Sequence, residues 1–232
     1  MIDLPGLYSL NAYTPEEHVT KEYLDHHSYD LVINVIDANT LGRNLALTLQ
    51  LLDRHPKMLV VVNMIDEVRS AGGSIDALAL ENLLGVSVVI ASSKTLEGID
   101  LFTQKIVTTF EAPQAPRKIY YDEKIEDELD HLAKVLGRDR DFHDPRHSVI
   151  RLMERDEESY KHLHDRPIFL EFHDLYQKSI ERLKVEFDED DISDVIANAR
   201  VALARGIVSK VAILKQHESM TQKIDKLLIH PL

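Results

Sequence analysis

The chain has 232 residues, 44% of them hydrophobic, enough to bury a sizeable core in one or two domains. Its 27 Lys and Arg stand against 40 Asp and Glu, and a net charge of -13 argues against an extended nucleic-acid surface, because phosphate contacts need clustered cations. With no cysteine there are no disulfides, thiolate chemistry or Cys-based zinc sites, and no apolar run approaches the roughly 18 residues that span a bilayer, so the sequence reads as soluble and cytoplasmic.

The chain opens on Asp3-Leu4-Pro5-Gly6, read as a strand end running into a turn. Such a bend can present main-chain N–H groups to a phosphate and a carboxylate to its Mg²⁺, although this composition also suits an ordinary turn. Leu31 to Asp37 is a nearly continuous β-branched run, as expected of a strand buried on both faces of a parallel sheet. Residues 43 to 54 place Leu45, Leu49 and Leu52 at helical spacing before Pro56. A strand over Met58 to Val62, a helix over Ile75 to Leu84, a strand over Val86 to Ala91 and a helix over Ile99 to Phe110 follow. This alternation predicts a doubly wound α/β sheet, with ligand chemistry at the carboxyl ends of its strands.

Beyond Phe110 the pattern changes. Pro113 and Pro116 mark a linker over residues 113–120 between an α/β domain (1–112) and an all-α bundle (121–232), with no β-rich run downstream. Ile125, Leu129, Leu132 and Leu136 share one helix face, Val149, Leu152 and Met153 another begun by Pro145, and a third helix is predicted over Asp174 to Phe187. The longest starts near Asp191 and carries Ile192, Val195, Ala199, Leu203, Ile207 and Val211, with acids at its start and Lys210 and Lys215 near its end.

Two strand ends carry distinctive chemistry. Asn63-Met64-Ile65-Asp66 offers a carboxylate that can accept two adjacent donors of a purine, and an amide that can tie loops together. Ala91 to Gly98 contains Ser92, Ser93 and Lys94, small residues that let backbone approach a flat base and an aliphatic stem that can cover it. An Asx-rich helix entry and a Ser-rich helix cap are the structural alternatives.

The order Asp-x-x-Gly, Asn-x-x-Asp, Ser-x-Lys after successive strands resembles the later guanine-nucleotide motifs of Ras-like GTPases. More narrowly, Asp3 to Leu10, Asn34 to Ala38, Arg43 to Leu52 and Asn63 to Asp66 resemble the cytosolic region of ferrous iron transport protein B. The helical half is similar to that family's GDI-like helical domain, and Ile224 to Leu228 to the segment ahead of its first membrane helix. The resemblance implies a partial Ras-like P-loop GTPase fold followed by a helical bundle, binding GTP or GDP with Mg²⁺ at the cytoplasmic face of a membrane. Its partner there is the membrane-embedded iron-transport region.

Carried onto this chain, the resemblance makes Asp3 a Mg²⁺ holder through water and Gly6 a γ-phosphate sensor. Asn63 and Asp66 become guanine readers, Met64 packs on the base, and Ser92, Ser93 and Lys94 complete the pocket. Residues 7 to about 20 correspond to the second switch; Leu7, followed by Tyr8, stands where many GTPases place a water-positioning Gln, which implies slow intrinsic hydrolysis. None of the 8 Gly is followed by Lys, so no P-loop is encoded in these residues, and the isolated chain is expected to bind GTP poorly or not at all. An N-terminal truncation is the accompanying expectation, leaving the first strand with one unpaired apolar edge. The alternative is a non-catalytic helical interaction module with a remnant GTPase fold; a ribosome-associated GTPase is disfavoured by the acidic charge. A homo-oligomer stays open.

Twelve His invite a metal reading at His26-His27, His143 with His147 and His162 with His164, but no compact ligand set is visible and surface placement is expected. Asp188 to Asp191 reads as a solvated helix start.

Overall fold

A computed structural model describes residues 1–7, 14–113 and 118–213. The β-branched run at Val32–Asp37 forms β1, which lies parallel to β2 (Met58–Asn63) with Val35 opposite Val61. A helical crossover follows each of these strands and brings the chain back to start the next one parallel to it. Helix α1 (Pro15–His26) precedes β1, and α2 (Leu41–Leu52) carries β1 to β2. After β2 come α3 (Ile65–Ser70), the two-residue strand β3 (Ser74–Ile75), α4 (Ala77–Leu84) and β4 (Ser87–Ile90), parallel to β2. The sheet order is β1-β2-β4, so β2 is central and its apolar residues are all buried.

One face of the sheet packs Ile36, Met58, Val60, Val62 and Val88 against Leu45, Leu49 and Leu52 of α2 and Leu80 and Leu84 of α4. Each fully buried side chain of this size contributes roughly 1.5–3 kcal/mol relative to exposure. The other face, with Leu59, Val61, Val89 and Ala91, is covered by Phe102 and Ile106 of α5 (Ile99–Glu111). That helix packs on β2 and β4. Among the described residues β1 pairs on one side only, and Val35, on its α5 side, is 59% exposed.

The second half contains α6 (Glu123–Leu136), α7 (Pro145–Met153), α8 (Glu157–His164), α9 (Phe169–Phe187) and α10 (Ile192–Val211). Ile125, Leu129, Leu132, Leu136, Val149, Met153, Phe172 and Ile196 form its core. Asp144 caps α7 by accepting from the His147 N–H at 3.0 Å, with Pro145 in the first turn, where its missing N–H is not needed. The apolar stripe of α10 serves two cores: Ile192, Val195 and Ile196 belong to the helical one, Ala204, Ile207 and Val211 to the α/β one.

Several expectations need correction. The helix expected from Ile75 begins at Ala77, because Asp76 caps it by accepting from the Ala79 N–H at 2.9 Å, while Ile75 is in β3. A strand does occur downstream: β5 (Ala212–Ile213) pairs antiparallel with β3. Gly73 permits this approach, since a Cβ there would lie 2.6 Å from the Ile213 carbonyl oxygen. The helix expected from Asp174 starts at Phe169, and α8 is an additional helix, capped by Asp156. Residues 1–7 take no regular structure, so Asp3 is not at the end of a formed strand. Tyr8, Pro116, Lys215 and the Ile224 to Leu228 segment lie outside the described residues. Among the described residues, no helix is long and apolar enough to cross a membrane.

Candidate functional site

At the carboxyl end of β2 the backbone turns sharply at Met64, which takes the left-handed conformation with φ 66° before α3 begins. The Ile65 N–H donates to the Ala91 carbonyl at 3.2 Å, holding the start of α3 beside the end of β4. This brings two sequence-distant loops into one hydrogen-bonded cluster. Asn63 Oδ1 accepts from the Ser93 N–H at 3.0 Å, and its amide donates to Ser93 Oγ at 3.3 Å. Ser92 Oγ, fully buried, donates to Asp66 Oδ1 at 2.7 Å and accepts from the Thr95 N–H at 3.2 Å.

These bonds determine what the cluster can do. Asn63 is satisfied by protein on both ends of its amide, which makes it a tie between the loops. Asp66 has one oxygen anchored and is half-buried, so acceptor capacity remains on its carboxylate for a ligand with adjacent N–H donors. Met64 is 38% exposed beside it, and Lys94 is exposed on the facing loop. The residues therefore fit a purine ring carrying neighbouring donors.

Asp3 and Gly6 are placed differently. Asp3 is exposed, and the segment is held where the Pro5 carbonyl accepts from Thr20 Oγ1 of α1 at 3.2 Å. Nothing lies within 4 Å of a Cβ built on Gly6, and Leu7 packs against the α/β core. No hydrogen bond among the described residues joins residues 1–7 to the Asn63–Ser93 cluster. The described residues thus bring acceptor and amide groups together at two strand ends without joining Asp3 or Gly6 to them, and among them no group of three His, Asp or Glu is arranged to hold a metal.

Three features of the structure were not anticipated. Arg69 of α3 donates through Nη1 to both carboxylate oxygens of Glu97 at 2.6 Å. The Asn39 amide bridges Asp37 at 3.1 Å and Glu67 at 2.9 Å, linking the end of β1 to α3. The third is a charged junction between the halves. Arg200 donates to Asp53 at 2.9 Å, to the Tyr121 hydroxyl at 3.0 Å and to Glu154, and Tyr121 donates to Asp53. Burial opposes the Arg200 charge, but Glu154, Tyr121 and Asp53 outweigh it and raise its pKa; burial pushes Asp53 and Tyr121 up.

Beside this network a cavity of about 550 Å³ is lined by Lys21, Arg54, His147, Arg151 and Arg155 among others. Helix α1 is tied across it by Lys21 to Asp156 and by Asp25 to Arg54 at 2.5 Å and to Arg151 at 3.1 Å. His147 is not the surface histidine expected. Burial, with Arg54 and Arg151 nearby, lowers its pKa to about 4. His143 lies outside α7, and the His162 ring packs edge-on against Phe142 with centroids 5.0 Å apart, so neither forms a ligand pair with its neighbour.

Residues 1–106 match the family model described as Ferrous iron transport protein B, and residues 121–213 match the one described as FeoB cytosolic helical domain. The Fe(2+) transporter FeoB of Campylobacter jejuni is 42% identical over 121 residues, 52% of this chain and 20% of that protein. The Fe(2+) transport protein A/Fe(2+) transporter FeoB fusion protein of Porphyromonas gingivalis is 30% identical over 243 residues, 99% of this chain and 28% of that protein. The chain therefore spans between a fifth and about three tenths of these relatives' length. A GDP-bound mutant of NFeoB from S. thermophilus superposes with a TM-score of 0.79 at 29% identity, covering 91% of this chain and 80% of the other. The mGMPPNP-bound form gives 0.76 at 29% identity, covering 93% and 80%. With one model on each half and the Ras-like α/β core shared with these structures, the chain belongs to the ferrous iron transport protein B family, as its cytosolic G and helical domains.

Proposed function

We propose that Asn63, Met64, Asp66, Ser92, Ser93 and Lys94 form the base half of a guanine-nucleotide site, in the GTP-binding regulatory region of a ferrous iron transporter. The observation that carries this is the Asn63–Ser93 and Asp66–Ser92 bonding, which organises a carboxylate acceptor between two strand ends with no ligand needed to hold it. Guanine offers two adjacent N–H donors to such a carboxylate, whereas adenine offers a different edge pattern. Asp3 and Gly6 are the residues of this chain assigned to the Mg²⁺ and γ-phosphate side, and Leu7 begins the second switch. One exposed carboxylate does not make a metal site, so GTP hydrolysis needs groups beyond those assembled here. The division into an α/β unit over 1–112 and a helical unit from 121, joined by 113–120, belongs to the same reading. So does the partnership of the helical unit with a membrane-embedded iron-transport region.

The test exchanges the acceptor pattern. Asp66→Asn replaces a double acceptor with one acceptor and one donor, which complements xanthine, where a carbonyl replaces the exocyclic amine. Titration with GDP and XDP up to millimolar concentration is expected to show weak binding, since no phosphate cradle is assembled among the described residues, with a preference for GDP in the wild type and for XDP in the variant. Equal binding of both by both proteins overturns the assignment. The lack of any hydrogen bond among the described residues between residues 1–7 and the Asn63–Ser93 cluster favours a second reading, a protein-interaction module with no nucleotide. Wild-type protein that binds neither nucleotide, with its Asn63–Ser93 cluster intact, supports that reading instead.

A further inference from the structure

The loop over residues 91–98 must keep Ser92 and Ser93 against Asn63 and Asp66, although most of it is exposed. Its backbone takes a left-handed conformation at two positions, one of them not a glycine. Leu96, 72% exposed, sits in the left-handed region with φ 64°, and Gly98 has φ 79° with a built Cβ only 2.3 Å from the Ile90 carbonyl oxygen. A non-glycine residue held in that region is strained unless surrounding contacts fix it. Inside the loop, the Ser92 N–H donates to the Glu97 carbonyl at 3.0 Å. Outside it, the Glu97 carboxylate straddles Arg69 Nη1, with both oxygens at 2.6 Å.

Arg69 stands three residues after Asp66 on α3, so one short helix carries both the ligand-facing carboxylate and the cation. The contacts close a ring: Asp66 to Ser92 by side chains, Ser92 to Glu97 by backbone, Glu97 to Arg69 by charge, and Arg69 back to Asp66 through a single helical turn. We propose that Arg69 and Glu97 are a positioning pair for guanine recognition, clamping the 91–98 loop onto α3 so that Ser92 holds Asp66 in its accepting orientation. The proposal rests on the base-site reading above for its ligand. The clamp itself stands on the ring of contacts.

The two side chains are 53% and 42% exposed, so the clamp is screened by ions, which no purely steric hold would be. A pair of this kind, worth a fraction of the free energy of a buried one, makes the loop's opening sensitive to charge and salt.

The experiment is amide hydrogen exchange at Ser92, Ser93 and Thr95, read by NMR on the whole chain without nucleotide. At low salt, Arg69→Gln and Glu97→Gln are each expected to speed exchange at these amides about two- to fivefold. The charge-swapped double variant Arg69→Glu/Glu97→Arg is expected to restore most of the protection, and the wild-type advantage is expected to shrink in about 1 M salt. Unchanged exchange in the single variants, or a swapped pair no better than either, overturns the clamp. A parallel GDP titration separates the two readings. If wild type binds GDP, the single variants are expected to weaken binding by a similar factor and the swap to recover it; unweakened binding overturns the positioning role. If wild type shows no GDP binding even at millimolar concentration, the base-site reading and the guanine role of the pair fall together, while the exchange data still decide whether the clamp exists.

Discussion

The base cluster and the charged junction use the same chemical groups in opposite surroundings. At the strand ends, Arg69 and Glu97 face solvent and the remaining ties are single hydrogen bonds from Ser92 to the Asp66 carboxylate and between Ser93 and the Asn63 amide. At the junction, the Arg200 side chain is 5% exposed and is shared by Asp53 and Glu154, which come from opposite halves of the chain. Water reaches Arg69 and Glu97 in the first region and is nearly shut out from Arg200 and Asp53 in the second. A site that must admit and release a ligand is built from contacts that open at small cost, whereas a joint between two halves is built from contacts that are retained or lost together.

The largest expected effect tests the junction directly. Arg200→Ala leaves the Asp53 and Glu154 carboxylates buried without their cation, a loss of about 3–5 kcal/mol. Urea unfolding measures it, and a change below about 1 kcal/mol would place the junction in the same class as the surface pairs.

The next effect comes from acid. The folded-state pKa of His147 is about 4, below its ordinary 6.5, so as pH falls the unfolded chain takes up this proton first. Stability from this group is complete above about pH 6.5 and is lost as pH falls towards 4, by up to ~3 kcal/mol. Asp156 continues the trend at lower pH. Burial raises its pKa, but Lys21, the Ser159 N–H and Arg151 outweigh this and leave it at about 2, so its contribution persists above its ordinary value and fades as pH falls from about 4 towards 2. Denaturation midpoints across pH 7 to 4.5, compared between wild type and His147→Gln, isolate the histidine; parallel curves would remove it as the cause.

The smallest effect sharpens the other side of the comparison. Asn63→Ala removes the acceptor for the Ser93 N–H, and a neutral hydrogen bond of this kind contributes about 1 kcal/mol. Global stability is expected to move by about that amount while exchange at the Ser93 amide rises; a global loss near that of Arg200→Ala would show that the cluster is a structural keystone rather than a ligand-facing tie.

The same contrast explains what could be read from the sequence. The β-branched runs that became β1 and β2 and the apolar face of α6 announce themselves, because one period satisfies both local geometry and burial. Asn63, Asp66, Ser92 and Ser93 are legible because each follows a readable strand directly. Arg200 and Asp53 meet across 147 positions, and nothing local to either predicts the meeting. Arg200 does lie beside the apolar residues of α10, and a charged residue next to such a stripe is the one sequence signal that points to a buried partner. Strands β3 and β5 have two residues each, too few to show any period, and exist because Gly73 lets one backbone approach the other.

Helix α10 gives that arrangement a mechanical meaning. Twenty residues make a rod about 30 Å long, with its first turns seated in one core, its last turns in the other, and its end pinned by β5. A rod anchored at both ends cannot roll at one end and stay still at the other. Helices α2 and α4 both pack on this rod, so the helix that lines the core of the helical half is the same one that bears on the layer behind the sheet.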